Sequence, residues 1–358
     1  MIDAAWANDV SRARQLIRLG ADVNHQDATE QSAYLIAASE GYRKLLELTL
    51  RNGADVSSLD SFNGTGLIRA AERGHASIVG RLLQANIAVD HVNNLGWTAL
   101  HEAIILGDGS DEYVDTVRLL IAGGADVQLA SARDGITPFD HARLKGHDDV
   151  ATTLAAALRT GSVERPDASL LAAAASGDAD RATMALRAGA DLEARDDIGR
   201  TPLLLAVARD RLAVARLLIA LGADPDALDD RHDTPWLVTG VTGSVDMLET
   251  LLPARPDLTI VNRFGGTSLI PASERGHVEY VRRVVTTRID VNHVNDLGWT
   301  ALLEAVILGD GSQPYQRIVR ILLNAGANPS ISDQNGTTPI EHARANGQVM
   351  VVSILRDA

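Results

Sequence analysis

The residues with the most chemical potential lie close together in one stretch. His101, Glu102, Asp108, Asp111 and Glu112 fall within twelve positions, and an imidazole beside carboxylates is the raw material of acid–base or metal-assisted hydrolysis. The run DGSDE at 108–112 alternates oxygen-bearing side chains in a way that suits calcium, although it lacks the twelve-residue loop that closes on a bidentate glutamate. The stretch, however, occurs twice. HVNNLGWTALHEAIILGDG at 91–109 returns at 293–311 as HVNDLGWTALLEAVILGDG, 202 positions on (97 to 299). The second copy puts Leu303, Glu304, Asp310, Gln313 and Pro314 at the corresponding places. An essential reactive centre would have to survive in one copy only, because the other has lost the imidazole and two acids.

The remaining sequence offers no other reactive grouping. No HExxH, GxSxG, P-loop or dinucleotide glycine pattern is present. Without cysteine the chain forgoes thiol catalysis, disulfides and thiolate zinc sites. The reading is therefore a protein that is not an enzyme and takes no cofactor and no metal. The formal charge of −14 repels a phosphate backbone, which disfavours nucleic acid and anionic membranes and favours a protein with a basic surface. No apolar run approaches a membrane span of ~18 residues, and MIDAAWANDV lacks the apolar core of a signal peptide. A cytoplasmic monomer is expected. Because Met1 falls inside the first helix of a repeat, a periplasmic or secreted protein whose leader has been removed is the alternative.

The elements that position these residues recur at a fixed period. The tag GADV begins at Gly20, Gly53 and Gly124, with worn versions at Asn86, Gly189, Gly222, Arg255, Arg288 and Gly326. The spacings are 33, 33 and 38 in the first half and 33, 33, 33 and 38 in the second. Each unit runs through turn residues, a Thr at a helix start where its oxygen can cap a free N–H, and an Ala-rich helix. A Gly turn follows, then a second helix with apolar residues at i, i+3 and i+4 and a Gly that stops it. DIGRTPLLLAVARDRLAVARLLIALGADP at 197–225 and NLGWTALHEA at 94–103 show the grammar.

This grammar, from Asp3 to nearly the end of the chain, resembles that of the ankyrin-repeat family. The resemblance implies an all-α solenoid of about eleven helix-turn-helix repeats with short β-hairpin fingers. The duplication divides it into a first block at 1–158 (repeats one to five), a joint at 159–168 and a second block at 169–358 (repeats six to eleven). Gly124 to Gly189 is one residue short of two periods, which favours continuous stacking over a hinge. Both 38-residue spacings arise from an insertion between the two helices of repeats four and ten, LGDGSDEYVDTVRLL and LGDGSQPYQRIVRIL.

The resemblance also implies where a partner would touch. Finger positions in repeat four are Val92, Asn94, Leu95, Trp97 and Glu102, and in repeat ten Val294, Asp296, Leu297, Trp299 and Glu304. Phe62 and Phe264 adjoin them. Along the groove lie Arg69, Glu72 and Arg73, matched by Glu274 and Arg275, with His141 and His342 on the groove-facing first helices. His101 occupies the family's structural TPLH place, His75, His147 and His277 lie at repeat turns, and Trp236 in TPWL is core. Apolar residues rimmed by charge mark binding surfaces, so the expected function is a non-enzymatic scaffold that grips another protein by fingers and groove, as inhibitor or adaptor. The alternatives are a metal- or ligand-dependent enzyme using the acidic loop of repeat four, and a structural spacer.

Overall fold

The computed structural model describes residues 1–159 and 161–358; the joint expected at 159–168 includes Thr160, which lies outside the described residues. Twenty-two α-helices follow one another among the described residues, from Ile2–Trp6 to Val349–Arg356. They form an all-α solenoid of paired helices. Several first helices are short and almost entirely enclosed: all seven residues of Ala33–Ser39 and of Ala99–Ile105 are buried. A seven-residue helix has no stability of its own in water, so caps and packing make it. Ser32, Thr65, Thr98, Thr201, Thr234 and Thr300 accept the N–H of the residue three positions on at 3.1 to 3.4 Å, each cap contributing about 1 kcal/mol. The second helices are amphipathic. Arg43–Arg51, for example, buries Leu45, Leu46 and Thr49 and turns its charged residues outward.

Most second helices stop at a glycine in the left-handed region, such as Gly53 at φ +82. The worn tag at Arg255 keeps this conformation, φ 61 and ψ 58, after the 3-10 turn Leu252–Ala254. A Cβ in that region costs roughly 1–2 kcal/mol. Arg255→Gly relieves this strain but gives the unfolded chain more freedom. The variant is expected to gain about 0.5–1 kcal/mol in a urea melt, and a loss would show that the exposed Arg255 side chain contributes more than its backbone costs.

The fingers differ from the expected β-hairpins. Among the described residues no strand forms, and one isolated bridge joins Leu59 and Thr65. The reason lies in the finger's first residue. Asp60 Oδ1 accepts the N–H groups of Phe62 and Gly64, both at 2.9 Å, and the Asp60 N–H donates to the Gly64 carbonyl at 3.0 Å. A side chain thus satisfies donors that a ladder would use. Several fingers reach the next by a single backbone bond, as from Asn94 N to Phe62 O at 3.0 Å.

The insertions act as clamps. Tyr113 and Tyr315 donate their hydroxyls to the Glu72 and Glu274 carbonyls at 3.0 and 2.9 Å, at the ends of helices Gly66–Glu72 and Leu269–Glu274. Gly107 and Gly309 leave room for these rings, since a Cβ at either would lie 2.5 Å from the tyrosine ring.

The chain divides into two compact units. The first comprises Met1–Ala173, Asp178–Leu192 and Arg216–Ala223; the second comprises Ala174–Gly177, Glu193–Ala215 and Asp224–Ala358. Within the first, helix Ala179–Arg187 and residues 216–223 cover the outer faces of helices Ala76–Leu83 and Asp111–Ala122. Arg118 pairs with Asp180 at 2.8 Å and Arg216 with Asp115 at 2.6 Å. Arg187 donates to the Ile121 and Ala125 carbonyls at 3.0 and 2.6 Å. Gly80 permits the approach, because a Cβ there would stand 2.3 Å from the Ala220 carbonyl oxygen. In the second unit the places of Gly80, Asp115 and Arg118 hold Arg282, Arg317 and Arg320, all exposed.

Candidate interaction surface

Each duplicated finger is shaped by one asparagine. Asn93 Oδ1 accepts from Leu95 N and Trp97 N, both at 3.0 Å, while Asn93 Nδ2 donates to Glu102 Oε1 at 2.6 Å. Asn295 repeats the arrangement with Leu297 at 3.1 Å, Trp299 at 2.9 Å and Glu304 at 2.8 Å. The backbone folds over at Gly96 and Gly298, φ +80 and +78, so that residues 94–95 and 296–297 form the tips.

The bond to the glutamate belongs to a wider pattern between a finger's first residue and the first-helix residue nine positions later. Asp60 faces Arg69, Asn93 faces Glu102, Asn295 faces Glu304 and Asp333 faces His342, the last at 3.0 Å. Arg69 also reaches Glu72 at 2.9 Å, and His141 faces Asp134 at 3.4 Å. Of the polar side chains expected along the groove, Arg69, Glu72, His141 and His342 are therefore engaged within the frame. Glu102 and Glu304, expected at the contact surface, are 1% and 4% exposed. Asn93 and Asn295 were absent from the sequence-based candidates, and the signal that could have found them is the matching of residue types at i and i+9.

Burial dominates the electrostatics of these carboxyls. It pushes Glu102 up to about 7, with Glu72 adding to the rise while the Asn93 bond and Arg69 oppose it. Glu304 is likewise pushed up to about 7 by burial and then by Glu274, against the Asn295 bond. His101 is pushed down to about 4 by burial and the neighbouring His141. Its Nδ1 accepts the Thr98 N–H at 3.3 Å, completing a capping box with Thr98, so it acts as a neutral helix cap. Asp108 closes a turn by accepting the Ser110 N–H at 2.9 Å. Among the described residues no group of three or more His, Cys, Asp or Glu side chains is arranged to hold a metal ion.

The fingers also expose apolar side chains. Phe62 and Phe264 are 56% and 55% exposed, and Val92, Val294 and Leu297 are also open to solvent. Leu95, Trp97 and Trp299 are half-buried, and Asn94 and Asp296 are exposed beside them. Three arginines lie over finger aromatics: Arg69 over Phe62 at 5.2 Å, Arg133 over Trp97 at 5.8 Å and Arg263 over Phe264 at 4.5 Å. Elsewhere on the groove Arg73 is exposed and pairs with Glu40 at 2.6 Å. Arg275 is exposed, and Glu72 and Glu274 are half-buried.

Known families recognise this chain through the same repeats. The family described as "Ankyrin repeats (3 copies)" matches residues 34–131 and 236–333, and "Ankyrin repeat" matches 198–230. The chain belongs to the ankyrin-repeat family. Among its relatives, the ankyrin repeat protein YahD of Escherichia coli (strain K12) is 39% identical over 143 residues, which cover 40% of this chain and 71% of YahD. An ankyrin repeat domain from Acinetobacter baumannii AYE, solved by crystallography, is 45% identical with a TM-score of 0.51, covering 52% of this chain and 96% of that domain. The crystal structure of the ankyrin repeat protein EF0377 is 37% identical with a TM-score of 0.51, covering 53% of this chain and 97% of its own. Each solved relative thus spans about half of this ankyrin-repeat chain. Ankyrin repeats generally bind other proteins. Among the described residues no helix is long and apolar enough to cross a membrane.

Proposed function

We propose that this ankyrin-repeat protein is a non-enzymatic scaffold that grips a partner protein through its two finger patches, as an inhibitor or adaptor. The first patch is Phe62, Val92, Leu95 and Trp97 with Asn94; the second is Phe264, Val294, Leu297 and Trp299 with Asp296. One observation carries the reading: the same exposed phenylalanine and branched aliphatic side chains stand at the finger tips of both copies, and an exposed apolar cluster within a polar surface is a mark of interaction. The patches lie one in each compact unit, which suits two copies of a partner or one partner with a repeated surface. The charge of −14 favours a basic partner surface. The chain acts as a monomer in the cytoplasm, with its blocks at 1–158 and 169–358 carrying one grip each.

The phenylalanines are the cleanest probes because they are more than half exposed. Phe62→Ser with Phe264→Ser is expected to weaken partner binding by about 2 kcal/mol or more at each patch, while changing the unfolding free energy by less than about 0.5 kcal/mol. Affinity capture from native extract, compared between the parent chain and the double variant, measures the first effect, and a urea melt measures the second. Undiminished capture by the double variant would remove the fingers as the grip.

A further inference from the structure

We propose that the first finger patch is selective for an apolar segment bearing a carboxylate, and that Arg133 is the residue that reads it. The inference rests on the finger reading above and adds the chemistry of the segment. Of the three arginines stacked on finger aromatics, two have their charge answered by acids. Arg69 is held by Asp60 and Glu72, and Arg263 pairs with Asp233 at 3.4 Å. Arg133 lies over the Trp97 ring at 5.8 Å, its side chain is open to solvent, and among the described residues no carboxylate lies within ion-pair distance of it. The adjacent Asp134 is occupied elsewhere: it accepts the Ile136 N–H at 3.0 Å and faces His141 at 3.4 Å.

The surroundings suit a combined apolar and anionic ligand. Val92, Leu95, Gly96 and Ala132, with the polar Asn93 and Asn94 and the Arg133 side chain, line an open cleft of about 410 Å³. A guanidinium resting on an indole has one face shielded from water and keeps its planar edge free for two parallel bonds to a carboxylate. An apolar side chain in the cleft would place an adjoining Asp or Glu at that edge. The net charge of −14 opposes an acidic segment only weakly, because repulsion from distant acids is screened over ~8 Å at physiological salt, whereas Arg133 lies in the cleft itself.

The second copy lacks the device. Gln334 stands in the place of Arg133 and spends its amide on the Asp296 carbonyl at 2.9 Å. Asp296 replaces Asn94, so the finger tip carries a carboxylate of its own. The two patches thus share an apolar contact and differ in the charge they accept.

The test uses three fluorescein-labelled twelve-residue peptides with one central Leu-Phe-Leu core, flanked by glutamate, serine or lysine. They are titrated by fluorescence anisotropy against the full chain carrying Phe264→Ser, which silences the second patch. The glutamate peptide is expected to bind about 10-fold tighter than the lysine peptide. Arg133→Gln should abolish that ranking and leave the serine peptide's affinity unchanged. In a Phe62→Ser chain, Gln334→Arg together with Asp296→Asn, which removes the tip's own carboxylate, should confer the same preference on the second patch. Equal affinity of the three peptides, no binding by any of them, or a ranking that survives Arg133→Gln would overturn the inference. The finger reading fails separately, if Phe62→Ser leaves glutamate-peptide binding intact; if Phe62→Ser abolishes binding while Arg133→Gln leaves the ranking, only the role of Arg133 falls.

Discussion

Replacing Glu102 and Glu304 together by glutamine is expected to leave stability nearly unchanged at pH 4.5 and to raise it at pH 8. Both carboxyls ionise near 7 when folded, against an ordinary value of 4.5. Between those two values the folded chain binds more protons than the unfolded chain, so the stability difference falls as pH rises. The contribution is complete below about 4.5 and is lost as pH passes through about 7. Glutamine copies the shape of the protonated acid, can still accept from Asn93 or Asn295, and cannot ionise. The gain at pH 8 is on the order of 2–3 kcal/mol per site. Urea melts of the parent and the double variant across pH 4.5–8.5 would show curves that meet in acid and diverge above neutrality. Parallel curves would mean that the carboxylates remain hydrated in the folded chain.

Trp236→Ala is expected to cost about 3–5 kcal/mol, the usual range for emptying an enclosed aromatic site. Trp236 is fully buried at the start of helix Pro235–Thr242, and its backbone N–H donates to the Pro225 carbonyl at 3.1 Å. Its indole N–H is buried without an acceptor, so Trp236→Phe loses less, because it removes an unsatisfied donor while keeping most of the apolar volume. Helix Pro235–Thr242 packs against Pro202–Ala208 and Leu269–Glu274, as neighbouring pairs do in a solenoid. The loss should therefore appear first as faster amide exchange in Pro202–Ala208 and Leu269–Glu274, the first helices of the flanking pairs. A cost below about 1 kcal/mol would contradict the closed packing around the ring.

Much of the fold was legible because its rules are local. A Thr three residues before a free N–H, an Ala-rich first helix and a Gly that ends the second repeat at a spacing near 33, and each acts within a few residues or on the next repeat. Trp236 could be placed in the core for that reason. The fingers were less legible: paired strands were expected, whereas Asp and Asn side chains close the turns instead. Chain order located Phe62, Val92 and Leu297 on open tips but could not show that Glu102 and Glu304 point inward. That depends on Asn93 and Asn295 meeting them across nine positions, a pairing that becomes visible only once the finger has folded back onto its helix.

By itself, then, the sequence determined the repeated helix pairs, their caps and stops, the duplication, and the positions where apolar residues would stand at finger tips. Only the tertiary structure decided which polar groups are consumed inside the frame and which faces are covered. The outer face of the first unit is closed by Arg216 meeting Asp115 and Gln84 meeting the Ala220 carbonyl, pairs separated by 101 and 136 residues. Neither separation is a multiple of the repeat. Nearest-neighbour repeats write their contacts into the period, whereas a contact between distant segments leaves no periodic trace, and Gly80 and Asp115 acquire their meaning only from the backbone that packs against them.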